Sequence, residues 1–269
     1  MISHCCSPQE SAGSSEIQNS IVVGTQVLLK CAAKSPFVQA VVFTSSESAV
    51  IFSPTNSMLT EETAKLHSAT SKGTAYQKAE GVADALVLEA NSVSLRTVSL
   101  RLPPIYGEGD PYVIPSILQL MRKGQQTLQI RPKEKVFEHV YIQNAVYAHI
   151  IASKALLGHP EHIVGGEAFF ITGGKPLKFY DFVRKIWVMA GDRSEKKDTR
   201  VVSRHLVLST AGISEFLHLT FTLGMKKPDV TRKYVLVLDE GTWFSIEKAE
   251  QRLGYKPVMD VNEALRRGV

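Results

Sequence analysis

The stretch Val38-Gln-Ala-Val-Val-Phe-Thr-Ser-Ser46 decides the fold. Apart from Gln39, its run from Val38 to Phe43 is apolar rather than alternating, so Val38–Thr44 reads as a strand covered on both faces. Working outward, residues 18–33 carry apolar positions at helical spacing, with Asn19 or Ser20 as a cap. Tyr76–Asn91 reads as a helix with Val82, Leu86 and Val87 inward, and Ser94–Leu102 as a second β-rich run. Between them the Ser/Pro/Asn-rich residues 52–72 form a surface loop.

The alternation continues downstream. A helix is expected over 113–123, a short strand over His139–Ile142, and a helix started by Asn144 that reaches Leu157. Ala168–Ile171 reads as a strand, Phe179–Ala190 as a helix, and Ser245–Leu253 as a helix with a serine cap. Buried strands alternating with helices predict an α/β parallel sheet. His159-Pro160 and Gly165-Gly166 break the chain, which suggests a division into residues 1–165 and 166–269, and 192–203 reads as a polar connector.

With 269 residues and 44% hydrophobic content, the chain can bury a sizeable core. The net charge of +5 is spread out, with only short clusters such as Lys196-Lys197 and Lys226-Lys227. No basic stripe with interleaved aromatics marks a nucleic-acid surface. Three cysteines without CxxC or Cys/His spacing argue against a disulfide framework and against a metal site, and a reducing compartment is expected. The apolar segment 205–224 is interrupted by Glu215 and two histidines, which favours a buried or interfacial helix with peripheral membrane contact over a span.

The chemistry-bearing pair is Ser46, at the strand end, and Tyr76, at the start of the following helix. Removing a hydride from an alcohol carbon requires removing the hydroxyl proton as well. A phenol with a pKa near 10 is a poor base at neutral pH unless a cation lies nearby. A lysine four residues on would share its helix face. Here that position holds Glu80, and Lys78 lies about 200° around the helix. A charged glutamate there raises the tyrosine pKa instead.

The ordered set of segments resembles the 3β-hydroxysteroid dehydrogenase/isomerase family of extended short-chain dehydrogenases, and in particular its fungal sterol-4α-carboxylate 3-dehydrogenase-like members. The segments are Ile2-Ser-His-Cys-Cys-Ser-Pro8, Val23-Gly-Thr25, Val42-Phe-Thr-Ser-Ser46, Tyr76 with Gly81-Val-Ala-Asp84, and Ile105-Tyr-Gly-Glu-Gly-Asp110. Downstream, Val140-Tyr-Ile-Gln-Asn144, Ala168-Phe-Phe-Ile-Thr172, and Ser245-Ile-Glu-Lys-Ala249 with Leu253-Gly-Tyr-Lys-Pro257 continue it.

The resemblance implies a Rossmann-like sheet with a small C-terminal substrate subdomain. It also implies oxidation of a sterol or triterpenoid 3β-hydroxyl, coupled to C4 decarboxylation. Ser46 and Tyr76 would carry the chemistry, with Lys78 as a stand-in lysine, and Ser7, Pro103 and Ile105 would lie against the NAD or NADP cofactor. The expected partners are a hydrophobic polycyclic substrate and a pathway enzyme such as an oxygenase. The expected location is the cytoplasm or the surface of the endoplasmic reticulum membrane.

The chain departs from the family pattern in carrying no glycine-rich dinucleotide fingerprint, and Leu102 stands where a proline is usual. A sheet that lacks the family's first β-α-β unit is therefore expected, with an open apolar edge near residues 1–6 and 38–43. The other reading is a member that binds or isomerises a polycyclic ligand without a cofactor.

Overall fold

The structure, a computed structural model, describes residues 1–52, 57–130, 135–158, 164–194, 199–210 and 241–269. Its centre is a four-stranded, all-parallel sheet: β1 (Ile2–His4), β2 (Ala40–Ser46), β3 (Arg96–Leu102) and β4 (Glu167–Phe170), in spatial order β1-β2-β3-β4. The β2–β3 register runs unbroken from Ala40 opposite Arg96 to Ser46 opposite Leu102. β4 follows directly on the division expected at residue 165 and pairs with β3 from Val98 to Arg101.

Helices cover both faces, and the period of two along β2 assigns its side chains. Ala40 and Val42 face α5 (Ile142–Leu157), packing with Ala145, Ala148, Ala152 and Leu156. Val41 and Phe43 face the opposite layer, built from α2 (Gly24–Lys34) and α3 (Ala75–Glu89), and meet Leu29, Ala79, Ala83 and Val87. Val41 and Val42 are both fully buried, and each such side chain stabilises by about 1.5–3 kcal/mol. The apolar run thus has its physical reason in a sheet sandwiched between two helical layers.

Preceding α2, α1 (Ser14–Ile17) continues through a wider turn, Gln18–Val23, so the expected helix over 18–33 begins four residues earlier. α3 is set by a reciprocal capping box: Thr74 Oγ1 accepts from the Gln77 amide at 3.2 Å, and Gln77 Oε1 accepts from the Thr74 amide at 2.9 Å. That fixes the first turn, which carries Tyr76.

A second core lies beside the sheet, where α4 (Val113–Arg122) and α6 (Phe179–Met189) bury Ile114, Ile117, Phe182, Ile186 and Trp187. After α7 (Glu247–Leu253), α8 (Val261–Gly268) closes it with Ala264 and Leu265, capped by Asp260. The sequence reading did not anticipate α8, whose eight residues include only three apolar side chains.

Asn144 does not start α5, which begins at Ile142. Its buried amide instead clamps the C-terminal segment, accepting from the Val258 and Met259 amides at 2.9 and 3.2 Å. Ser245 does accept from the Glu247 amide, at 3.2 Å, at the entrance to α7. Among the described residues no helix is long and apolar enough to cross a membrane, and residues 211–224 of the expected interfacial segment lie outside them.

Candidate active site

The C-terminal ends of β1, β2 and β3 open into one cleft of about 450 Å³. In an open parallel sheet this is where strand-end side chains and helix N-termini converge. Ser7 reaches it from the loop after β1, Ser46 from the end of β2, Tyr76 from the first turn of α3, and Pro103 and Ile105 from the segment after β3. Five of the six residues singled out from the sequence therefore share one lining. Lys78 is not in that lining; it lies close enough to His67, on the other side of α3, to help lower the imidazole pKa.

Ser7 is the hub of the polar contacts. Its Oγ lies 3.0 Å from Glu80 Oε1, to which it donates, and 3.4 Å from the Tyr76 hydroxyl. Ser46 is also within hydrogen-bonding reach of the Tyr76 hydroxyl. Ser46 Oγ accepts from the Ser48 amide at 3.0 Å, capping the short turn Glu47–Ala49, so its own proton stays free for the cleft.

Burial pushes the Tyr76 phenol well above its ordinary value, and the neighbouring Glu80 charge pushes it further. Burial also raises Glu80, to about 7, against the hydrogen bonds from Ser7 and Tyr76 that favour its charged form. Glu80 is only 2% exposed, and its Oε2 has no partner among the described residues.

The helix that presents these groups is held by Asp84, one turn beyond Glu80. Asp84 accepts from Ser45 at 2.6 Å, from Ser99 at 2.8 Å and from Arg101 at 2.9 and 3.0 Å. Close packing brings α3 against the loop that precedes it: a Cβ on Gly81 would sit 2.2 Å from the His67 carbonyl oxygen.

Beside the polar cleft lies an apolar hollow of about 600 Å³ between β1 and α5. Cys5, Thr44, Leu102 and Ile105 line both. Ile142, Val146 and Ile150 supply the hollow's far wall. At its polar rim, His149 Nδ1 lies 2.8 Å from the Ala145 carbonyl, and Nε2 lies 2.6 Å from Thr44 Oγ1. A carbonyl can only accept, so Nδ1 carries the proton and Nε2 accepts from Thr44.

The family model of the 3-beta hydroxysteroid dehydrogenase/isomerase family matches residues 1–200. The chain belongs to that family. It is 35% identical over 268 residues to a decarboxylating sterol-4-alpha-carboxylate 3-dehydrogenase of Gibberella zeae, covering 98% of this chain and 88% of the relative. A Schizosaccharomyces pombe protein of the same description is 34% identical over 248 residues, covering 91% and 69%. Among solved structures, RMD from Pseudomonas aeruginosa complexed with NADPH superposes with a TM-score of 0.67 at 14% identity, over 99% of this chain and 79% of that one. UDP-glucuronic acid 4-epimerase from Bacillus cereus in complex with NAD gives 0.68 at 13%, over 97% and 69%. The fold is thus the extended short-chain dehydrogenase type, the α/β class expected from the strand-helix alternation.

Glu10, Glu47, Tyr112 and Val113 also line the cleft. Glu47 directly follows Ser46, so its nearness to the strand end was legible; Tyr112 and Val113 arrive through the turn at Gly107–Pro111, and no local pattern announces them.

Proposed function

We propose that this protein oxidises the 3β-hydroxyl of a sterol or triterpenoid with loss of a C4 carboxyl group, in sterol or specialised terpenoid biosynthesis, using NAD or NADP. The observation that carries the reading is the convergence of Ser46, Tyr76 and Ser7 in one cleft that shares four lining residues with an adjoining apolar hollow. The hollow's volume lies within the range of small-molecule pockets, and its aliphatic wall suits a fused-ring hydrocarbon.

The cleft's acceptors fit the nicotinamide-ribose end of such a cofactor: the unpartnered, buried Glu80 Oε2 needs a donor, and a ribose hydroxyl supplies one. Ser7, Tyr76, Glu80, Pro103 and Ile105 would hold that end. When bound, the cofactor supplies the hydride acceptor. Ser46, with its proton free, donates to the substrate oxygen and fixes it against the Tyr76 hydroxyl. Leu102 and Pro103, both buried, give the cleft an apolar side beside the reacting carbon. Once a C3 ketone exists, it accepts the electron pair released as a C4 carboxylate departs, so carbon dioxide leaves without a further base.

Incubation with a 4α-carboxysterol and each nicotinamide nucleotide tests this. Reduced nucleotide and carbon dioxide appearing in equal amounts is the expected result; neither product with either nucleotide overturns the reading. One observation favours the other reading, a member that binds or isomerises a polycyclic ligand: the acid Glu80 stands where a cation would activate Tyr76. That protein would bind the sterol without consuming nucleotide.

A further inference from the structure

Resting on the dehydrogenase reading above, we propose that Glu80 is the proton acceptor of the site and draws the substrate hydroxyl proton through Tyr76 and Ser7. Tyr76 lies within direct hydrogen-bonding reach of Glu80, and Ser7 gives the two a second connection. The Tyr76 hydroxyl sits 3.4 Å from Ser7 Oγ, and Ser7 Oγ donates to Glu80 Oε1 at 3.0 Å. The two hydroxyls, Tyr76 and Ser7, can each give up one proton as they take another, and the Glu80 carboxylate can keep the last.

The transfer balances. The substrate O–H bond breaks as a new Tyr76 O–H bond forms, Tyr76 passes its own proton to Ser7, and Ser7 passes its proton to Glu80 Oε1. The substrate O–H electron pair becomes the new C=O bond, and the C3–H pair leaves as hydride to the oxidised nicotinamide. Glu80 ends as a neutral carboxylic acid and Tyr76 is a neutral phenol at the start and at the finish.

The surroundings suit a carboxylate that takes up a proton. A phenolate at Tyr76 is disfavoured by burial and by the adjacent acid, whereas Glu80 changes charge near neutrality. On its own helix Glu80 faces Asp84, whose charge is met by Arg101 of β3. From the loop after β1 come Cys5 and Glu10, and from the turn after β2 comes Glu47, itself raised to about 8 by burial and by Glu138. His67 packs against Gly81 from the loop that precedes α3. The charged groups of α1 and α2, namely Glu16, Lys30 and Lys34, are exposed. Among these described groups none places an unopposed cation beside Tyr76.

The test uses the full chain and its E80Q and E80K variants, with two independent readouts. The first is the pH profile of sterol oxidation. The wild type should gain kcat/KM as pH rises through about 7. E80Q keeps the side chain's shape but not its basicity, and should lose about 100-fold in kcat and that limb of the profile. E80K should regain turnover by lowering the Tyr76 pKa directly, with the limb moved. An E80Q enzyme with unchanged turnover and profile overturns the proposal.

The second readout is an infrared titration of the cofactor-free protein, following carboxyl protonation. E80Q should lack one group that titrates near 7 in the wild type. If the wild type oxidises no sterol, the dehydrogenase reading falls and the relay with it, and the titration difference then shows only that Glu80 is the cleft group that changes charge near 7. If the wild type oxidises sterol and the two titrations coincide, the relay is overturned and the function is kept.

Discussion

Arg101 grips Asp84 through two parallel bonds, Nη2 to Oδ1 at 2.9 Å and Nε to Oδ2 at 3.0 Å, with both side chains almost entirely buried. Asp84 belongs to α3 and Arg101 to β3, so the pair bolts the helix that carries Tyr76 and Glu80 to the strand that leads into Pro103 and Ile105. Removing one partner leaves a buried charge uncompensated, which typically costs about 3–5 kcal/mol. Arg101→Met should therefore lower the denaturant midpoint sharply, while Asp84→Asn and Arg101→Met together should destabilise by less than the sum of the single changes. Additive losses in the double-mutant cycle would show that the two side chains act separately.

The cleft hydroxyls separate by their neighbours. Tyr76→Phe removes the atom that meets Ser7 and should lower turnover by about 10²–10⁴-fold with little change in thermal midpoint. Ser46→Ala removes the substrate donor and also the acceptor of the Ser48 amide, so it should lower both turnover and stability, the latter by about 1 kcal/mol. Lys78→Met, at a half-buried position outside the cleft lining, should leave kcat within about twofold of the wild type, as for a change that touches none of the site's groups. A large kcat loss in Lys78→Met would bring that lysine into the chemistry.

Stability should peak on the acid side of neutrality. Burial raises Glu47, Glu80 and Glu138 to about 8, 7 and 8. Each binds its proton more tightly in the folded state, so its contribution is full below the unfolded carboxylate range near 4.5 and is lost as pH rises through 7–8. His4, His67 and His149 are lowered by burial and His139 is brought to about 3. Their contribution is full above 6.5 and is lost as pH falls towards their folded values. Thermal midpoints measured from pH 3 to 9 should decline on both sides of a maximum between roughly 4.5 and 6.5, the window these opposing shifts define. Glu138→Gln should flatten the alkaline side; an unchanged slope there would remove Glu138 from the account.

Gly81→Ala should destabilise by about 1–3 kcal/mol, because the added methyl would meet the His67 carbonyl at 2.2 Å and neither backbone can give way cheaply. The same change should weaken sterol turnover, since a displaced α3 carries Tyr76 with it. Unfolding curves and turnover together check this, and a variant equal to wild type in both would mean the loop at His67 yields freely.

The fold was readable where one physical signal dominated. Val38–Phe43 announced a strand covered twice, and the Tyr76–Asn91 spacing announced the helix that covers it. The cleft was readable in part, because Ser46 and Tyr76 sit at element ends, where strand and helix termini meet. Other features resisted reading because their cause is tertiary. Asn144 has the composition of a cap but serves as a clamp for residues 114 and 115 positions away. Glu80 was visible as an oddity beside Tyr76, yet its contact with Ser7 spans 73 residues and exists only once β1 and α3 are packed. No window of sequence holds both.

The wall that Cys5, Thr44, Leu102 and Ile105 share between the polar cleft and the apolar hollow makes the two basins thermodynamically linked. An occupant of one side settles these four side chains for the other. Whatever factor a greasy tenant imposes on the affinity of the polar side must be returned to it, in equal measure, by whatever binds there.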